Sequence, residues 1–577
     1  MTDSPAMQID WDVPITLDDG VAVRADIFRP QAAGQYPVIL AYGPYAKGLN
    51  FAEGYPDAWN IMVKSHPEVA ANSSNKYQAW EVADPERWVP EGYICIRIDA
   101  RGWGRSPGYI EPWSPREARD MHACIEWAGT QAWSNGKVGL LGISYYAINQ
   151  WHAAGLQPPH LAAMIPWEGF ADCYRDLCYH GGIGSDMKDV WYRRTITTVQ
   201  HGLGTRALKN RNTGEAVAGP ETLPDETLAK NRSDFPAAIN SHPLDDSFHR
   251  ERSAQWDKVV VPFLSAGNWG GSSLHLRGNV EGFLRAASQQ KWLEIHGREH
   301  WTEFYTNYGI NLQKRFFDHF LKGLDNGWDR QPPVMLRVRT VDDTFIDRNE
   351  NEWPIARTQW TRFYLDVAGS ALLTAPASQG ASAGFKALDS EGITFSTSPL
   401  DKETEITGPV AVKLFVSSDT ADADLFVVLR VYRPDGSEVV FKGAVDPHTP
   451  VAHGWLRASH RKLDKKLSTA WRPYHTHDEV ELLTPGEIYE LDIEVWPTSV
   501  IVPAGYRVAL TVRGKDYEYG GEIAELGFFK NSKLKGVGIY THTNPLLRPA
   551  ALYGGNSTLH TGGVHGAYVL LPVVPPQ

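Results

Sequence analysis

Apolar positions divide this chain into two stretches with different periods. In the first, Pro37-Val-Ile-Leu-Ala-Tyr42, Tyr93-Ile-Cys-Ile-Arg-Ile98 and Val138-Gly-Leu-Leu-Gly-Ile143 are short continuous apolar runs. Such runs mark strands buried on both faces. Residues 161–165, 259–264 and 291–295 supply three more. Residues 21–26 alternate behind the turn Asp18-Asp19-Gly20 and read as an edge hairpin strand. Residues 118–129 carry helical spacing at Met121, Cys124, Ile125 and Ala128. Residues 145–154 read as a helix, stopped by Gly155 and Pro158-Pro159. Strand and helix alternating over the first 330 or so residues predict a mostly parallel sheet covered on both faces.

Two stretches break this rhythm. Residues 49–84 read as loop, with aromatics among polar turns. Residues 175–255 are polar, aromatic and partly helical, and they fall between two sheet strands, where a cap can be inserted. Near residue 335 the period changes to two. Val410, Val412, Leu414 and Val416 alternate with other residues, as do Leu491, Ile493 and Val495, and Val508, Leu510 and Val512. Turn signals at Pro434-Asp-Gly436 and Pro485-Gly486 separate such segments, the pattern of a β-sandwich. The implied parts are 1–174 and 256–334 for the sheet and helices, 175–255 for the cap, and 335–577 for the sandwich.

Composition narrows the function classes. The chain has 577 residues and a net charge of −12, with no dense Lys/Arg block, so neither nucleic acid nor an anionic membrane is expected as a partner. No apolar run approaches the ~18 residues of a membrane span. The N-terminus, Met1-Thr-Asp-Ser-Pro5, has no signal-peptide pattern. The four cysteines, Cys95, Cys124, Cys173 and Cys178, form no disulfide framework, and a cytoplasmic location is expected. No His, Cys or Asp cluster has metal-ligand spacing, and no phosphate-cradling loop is present, so neither metal nor cofactor is expected.

The chemistry centres on Ser144. A serine hydroxyl is a weak nucleophile until a base takes its proton. Gly142-Ile-Ser144-Tyr-Tyr-Ala147 sits at a strand-to-helix junction, where a sharp turn exposes the hydroxyl and the helix start favours negative charge. Gly271-Ser272-Ser273 carries a similar triplet without that context. His300, in His296-Gly-Arg-Glu-His300, follows the last sheet strand and reaches the carboxyl edge where the serine lies; His296 is too close to the strand. The pair predicts a serine hydrolase acting on a small-molecule ester or related acyl bond.

The chain resembles the cocaine-esterase-like family, which includes α-amino acid ester hydrolases and X-prolyl dipeptidyl aminopeptidases. The resemblance covers nearly the whole chain. It rests on residues 19–30, Gly43-Pro-Tyr45, Asp99-Ala-Arg-Gly102, Gly142-Ile-Ser-Tyr-Tyr-Ala-Ile-Asn-Gln-Trp151, Phe316-Phe-Asp-His-Phe-Leu-Lys-Gly323 and Thr407-Gly-Pro-Val410. It implies an α/β-hydrolase fold with an inserted helical cap and a C-terminal jelly-roll sandwich of the galactose-binding-like kind. It further implies that the Tyr45 hydroxyl and the Tyr145 backbone N–H form the oxyanion hole.

One departure stands out. The resemblance implies a triad Asp at the position held by Gly270, in a loop, Ser265-Ala-Gly-Asn-Trp-Gly-Gly-Ser-Ser273, that has no carboxylate. Loss of that acid costs ~10⁴ in rate in a related triad. Glu168 is the replacement expected here, because it follows strand 161–165, which should lie beside the serine strand toward the histidine loop. Asp172 is the next choice, and Glu299 lies beside His300 in the chain.

Three function classes follow. The first is a carboxylesterase. The second is an α-amino acid ester hydrolase or X-prolyl dipeptidyl aminopeptidase, which needs carboxylates such as Asp172, Asp176 or Asp186 for the substrate amine. The third is a non-catalytic binding protein. The large β portion also leaves room for a homodimer.

Overall fold

The computed structural model describes residues 7–522 and 535–576; the N-terminal segment Met1–Pro5, read above for targeting signals, lies outside them. The first part of the chain builds a ten-stranded sheet: β1 (Met7–Thr16), β2 (Ala22–Pro30), β3 (Tyr36–Gly43), β4 (Ile94–Asp99), β5 (Ser134–Ile143), β6 (Leu161–Trp167), β7 (Phe263–Asn268), β8 (Lys291–His296), β9 (Val334–Arg339) and β10 (Phe345–Glu350). Their order is β1-β2-β4-β3-β5-β6-β7-β8-β9-β10. The run from β4 to β9 is parallel, and the β1, β2 and β10 pairings are antiparallel.

Helix α1 (Pro115–Gly129) starts on a Ser114 cap with proline in its first turn. It packs with α2 (Tyr145–Gly155) beside β5. Helix α3 (Leu276–Arg285) lies on β7 and β8, and α4 (Asn307–Lys322) on β5 and β6. The buried runs read from the sequence form the core, with Val38, Leu40, Ile94, Ile96, Val138, Leu140 and Ile165 all shielded.

Four details differ from the sequence reading. Strand β2 is interior, because β1, whose Met7, Ile9, Trp11, Val13 and Ile15 alternate with other residues, covers its outer side. Residues 49–84, read as loop, contain three short helices, Phe51–Gly54, Pro56–Ser65 and Pro67–Ala71, two of which begin on prolines. Strand β7 begins at Phe263 rather than at residue 259, after Pro262, so its end falls at Asn268. A boundary at 334 also cuts β9, since the sheet continues to Glu350.

Residues 175–255 form an insertion of short helices, among them Met187–Trp191, Asp225–Lys230, Phe235–Asn240 and Ser247–Arg250. The C-terminal part is all β. Val410, Val412, Leu414, Val416, Leu491, Ile493 and Val495 point into its core, as their alternation predicted. Its strands close on themselves, because Tyr568–Val574 pairs with both Gln359–Asp366 and Thr404–Ser418.

The two parts share a core. Trp269, Leu276, Leu293 and Val334 of the first cluster with Phe426, Trp455 and Trp496 of the second. Arg277 on α3 is buried between Asp176 (3.1 Å) and Glu494 (3.0 Å), tying the root of the cap to the β domain. At the centre of the joint, Ala444 N–H donates to the Gly270 carbonyl (3.1 Å), and His300 N–H donates to the Ala444 carbonyl (3.0 Å). A Cβ on Gly270 would lie 2.4 Å from Gly443 Cα and 2.8 Å from Ala444 N. The position where the resemblance implies an Asp is therefore closed by backbone of the β domain.

Overpacking of this kind costs about 1–3 kcal/mol. Gly270→Asp is expected to lower the melting temperature and to bring no gain in activity. An unchanged thermal unfolding curve would show that the joint yields to the side chain.

Candidate active site

The parallel register sets the carboxyl ends of four strands side by side. Ile143 pairs with Trp167, Trp167 with Ala266, and Asn268 with His296. Ser144, Glu168, Trp269 and the 297–300 loop therefore leave the sheet along one edge. Ser144 holds φ 57° and ψ −115° between β5 and α2, a turn that L-residues adopt only under strain. Two backbone clasps hold it. Ser144 N–H donates to the carbonyls of Trp167 (3.2 Å) and Glu168 (3.1 Å), and Ile143 N–H donates to the Glu81 carbonyl (3.0 Å). The bulk of Tyr146 after the serine is accommodated by Gly43 and Gly142, either of whose Cβ atoms would collide with it.

Glu168 also has positive φ, 50°, and is fully buried. Its Oε2 accepts from His300 Nδ1 at 2.8 Å, and its Oε1 from His296 Nε2 at 2.9 Å and Asn268 Nδ2 at 3.1 Å. Burial alone would raise its pKa, but the charge of His300 and the hydrogen bonds from both imidazoles pull it down to about 2. Burial opposes the charged form of His300 too. The Glu168 charge and its hydrogen bond outweigh that and hold the imidazole up at about 10. The structure thus brings Glu168 to His300. It does not bring Asp172, which caps and pairs Arg175 (2.9 Å), or Glu299, which pairs Lys442 (3.1 Å).

Two residues of this network have no role in the sequence reading, which set His296 aside and passed over Glu81. His296, the last residue of β8, links Glu168, through Nε2 (2.9 Å), to Glu294, through Nδ1 (2.8 Å). Glu81 lies on the other side of His300, with Oε1 3.0 Å from Nε2. Among the described residues, no hydrogen bond joins Ser144 to His300; Glu81 holds that nitrogen. Burial pushes Glu81 up to about 7 against the opposing pull of His300. Its φ is 61°, so Ser144, Glu168 and Glu81 are three non-glycine residues of one site in left-handed backbone. Such strain persists only where the surroundings enforce it. The one sequence signal for Glu81 was a lone carboxylate inside the apolar run Ala79-Trp80-Glu81-Val82-Ala83.

Tyr45 is buried, with its ring edge against Tyr145 and Tyr146. Its oxygen accepts from Trp191 Nε1 of the cap (3.3 Å), which leaves the hydroxyl hydrogen free to donate elsewhere. Burial holds its pKa well above 10, so the phenol keeps that hydrogen. The Tyr145 hydroxyl donates to Glu117 (2.7 Å), anchoring the side chain. Its backbone N–H lies in the first turn of α2, where the helix offers no partner. Trp113, Tyr145 and Trp191 stack at 4.7–5.8 Å into an aromatic wall. The cluster of Cys and His side chains that could hold a metal lies outside this set.

Residues 19–302 match the model of the X-Pro dipeptidyl-peptidase (S15) family, and residues 326–529 match that of the X-Pro dipeptidyl-peptidase C-terminal non-catalytic domain. The chain is 25% identical to a cocaine esterase from a Rhodococcus species, over 97% of this chain and 98% of that one. It is 24% identical to a putative serine esterase from Mycobacterium bovis, over 87% and 90%. The solved structure of a CocE/NonD family hydrolase from Staphylococcus aureus superimposes with a TM-score of 0.83 at 30% identity, covering 98% of this chain and 94% of that one. With these likenesses spanning both the α/β-hydrolase part and the β domain, the chain belongs to the CocE/NonD family of serine hydrolases.

Proposed function

We propose that this protein hydrolyses carboxylic esters through an acyl-enzyme on Ser144. The observation that carries this reading is the Glu168–His300 hydrogen bond of 2.8 Å beside a strained serine elbow. In the proposed cycle, His300 Nε2 turns from Glu81 to Ser144 and takes the hydroxyl proton as Oγ attacks the acyl carbon. The Tyr45 hydroxyl and the Tyr145 N–H donate to the oxyanion, each worth ~10²–10³ in rate. His300 passes the proton to the departing alkoxide, leaving the acyl-serine and an alcohol. Water then attacks the acyl carbon, His300 takes its proton and returns it to Ser144, and a carboxylic acid leaves. Glu168 stabilises the imidazolium and fixes its tautomer throughout.

The ester reading is favoured over free-amine recognition, because the three carboxylates near the cap that the sequence offers for an amine are already engaged. Asp172 pairs Arg175, Asp176 pairs Arg277, and Asp186 accepts from Thr541 and Thr543. The cocaine esterase and serine esterase names of the relatives support the same substrate class. Among the described residues no helix is long and apolar enough to cross a membrane. The four thiols are unbridged, which supports a reducing compartment such as the cytoplasm.

Two predictions follow from the geometry. Ser144→Ala should abolish p-nitrophenyl acetate hydrolysis and fluorophosphonate labelling; a labelled, active variant would put the nucleophile elsewhere. Glu81 favours the charged imidazole, so its removal should leave more neutral base at a given pH. Glu81→Gln is therefore expected to move the acidic limb of the kcat/KM profile to lower pH by about one unit or more. A limb that stays in place would show that Glu81 does not face the working histidine.

A further inference from the structure

We propose that Cys173, Cys178 and His249 form a binding site for a divalent thiophilic cation of the Zn²⁺ type at the root of the cap. Cys173 and Cys178 are the two ends of a wide helical turn, Cys173–Cys178, that begins five residues after Glu168. Both thiols are fully buried, and their sulfurs lie 3.7 Å apart. His249, on the helix Ser247–Arg250, is equally buried. One ligand atom from each of the three falls within 4.8 Å of the others.

Two observations point to a ligand rather than a packed pair of thiols. The first is the imidazole. His249 Nε2 lies 2.8 Å from the His242 carbonyl, which can only accept, so the proton sits on Nε2. Nδ1 is then a buried lone pair that faces the Cys173 thiol, with no partner at full hydrogen-bonding geometry. A backbone carbonyl fixing one ring nitrogen so that the other faces a metal is the usual outer-shell arrangement of a ligating histidine. Tyr174 and Tyr179 hold the ring edge-to-face at 5.1 and 5.9 Å.

The second is the sulfur spacing. Zn–S bonds of about 2.3 Å at a tetrahedral angle put two thiolates about 3.8 Å apart. The observed separation already matches, and closure needs movement mainly of the imidazole.

Charge selects the oxidation state. Two thiolates and a neutral imidazole around a divalent cation make a neutral site, which a buried pocket tolerates. A monovalent cuprous ion would leave a buried negative charge. Binding releases the two thiol protons to solvent, and a water fills the fourth position. The spacing Cys173-x₄-Cys178 with His249 far along the chain matches no ligand pattern, which is why the sequence predicts no metal. A bound cation would staple the turn after Glu168 to the far end of the cap insertion.

The test is equilibrium dialysis of the reduced full chain against Zn²⁺, followed by metal analysis and thermal unfolding. The expected result is about one equivalent bound and a higher melting temperature, reversed by chelator. Cys178→Ala and His249→Gln should each lose the bound metal and the thermal shift, while Cys95→Ala keeps both. Unchanged zinc content in Cys178→Ala would overturn the proposal, as would uptake of Cu⁺ without Zn²⁺. Failure of the wild type to retain zinc would overturn it as well.

Discussion

The site depends on one buried carboxylate. Glu168 has no exposure to water, and an isolated ion there would cost several kcal/mol. Three donors make the charge tolerable: His300, His296 and Asn268, from the ends of adjoining strands and the loop beyond. The same backbone that aims this side chain also accepts from Ser144 N–H, so Glu168 and Ser144 are set by one turn. Moving Glu168 would release the histidine tautomer, the serine elbow and the orientation of His296 together.

This placement explains the closed position at Gly270. With Glu168 following β6, the end of β7 carries Asn268, which donates to Glu168 and accepts from Gly270 N–H. The loop after it needs no carboxylate, and backbone of the β domain occupies the space instead. Because Ala444 bonds both to this loop and to His300 N–H, the β domain helps hold the histidine loop in register with the sheet.

Much of this was legible from the residues. The buried parallel strands announce themselves as apolar runs, and the closeness of Ser144, Glu168 and His300 follows from which strand ends must be neighbours. Strand β1 does alternate, with Met7, Ile9, Trp11, Val13 and Ile15 on one face, but the sequence reading began the sheet at residue 21 and passed over it. The rest was hidden for physical reasons. The helices over 51–71 are short, of four to ten residues, and two of them begin on prolines, so no helical period runs long enough to show. Glu81 and His296 join the site through contacts across 219 and 128 positions, which no local pattern encodes. The cap residue Trp191 meets Tyr45 only once the insertion has folded over the edge.

The central claim is that Glu168 supplies the acid of the triad. The most direct measurement is the rate of serine acylation by p-nitrophenyl acetate in Glu168→Gln, with its unfolding curve as a control. A folded variant slowed by ~10³–10⁴ is the predicted result. A folded variant that acylates within a few-fold of the unaltered protein would contradict the account.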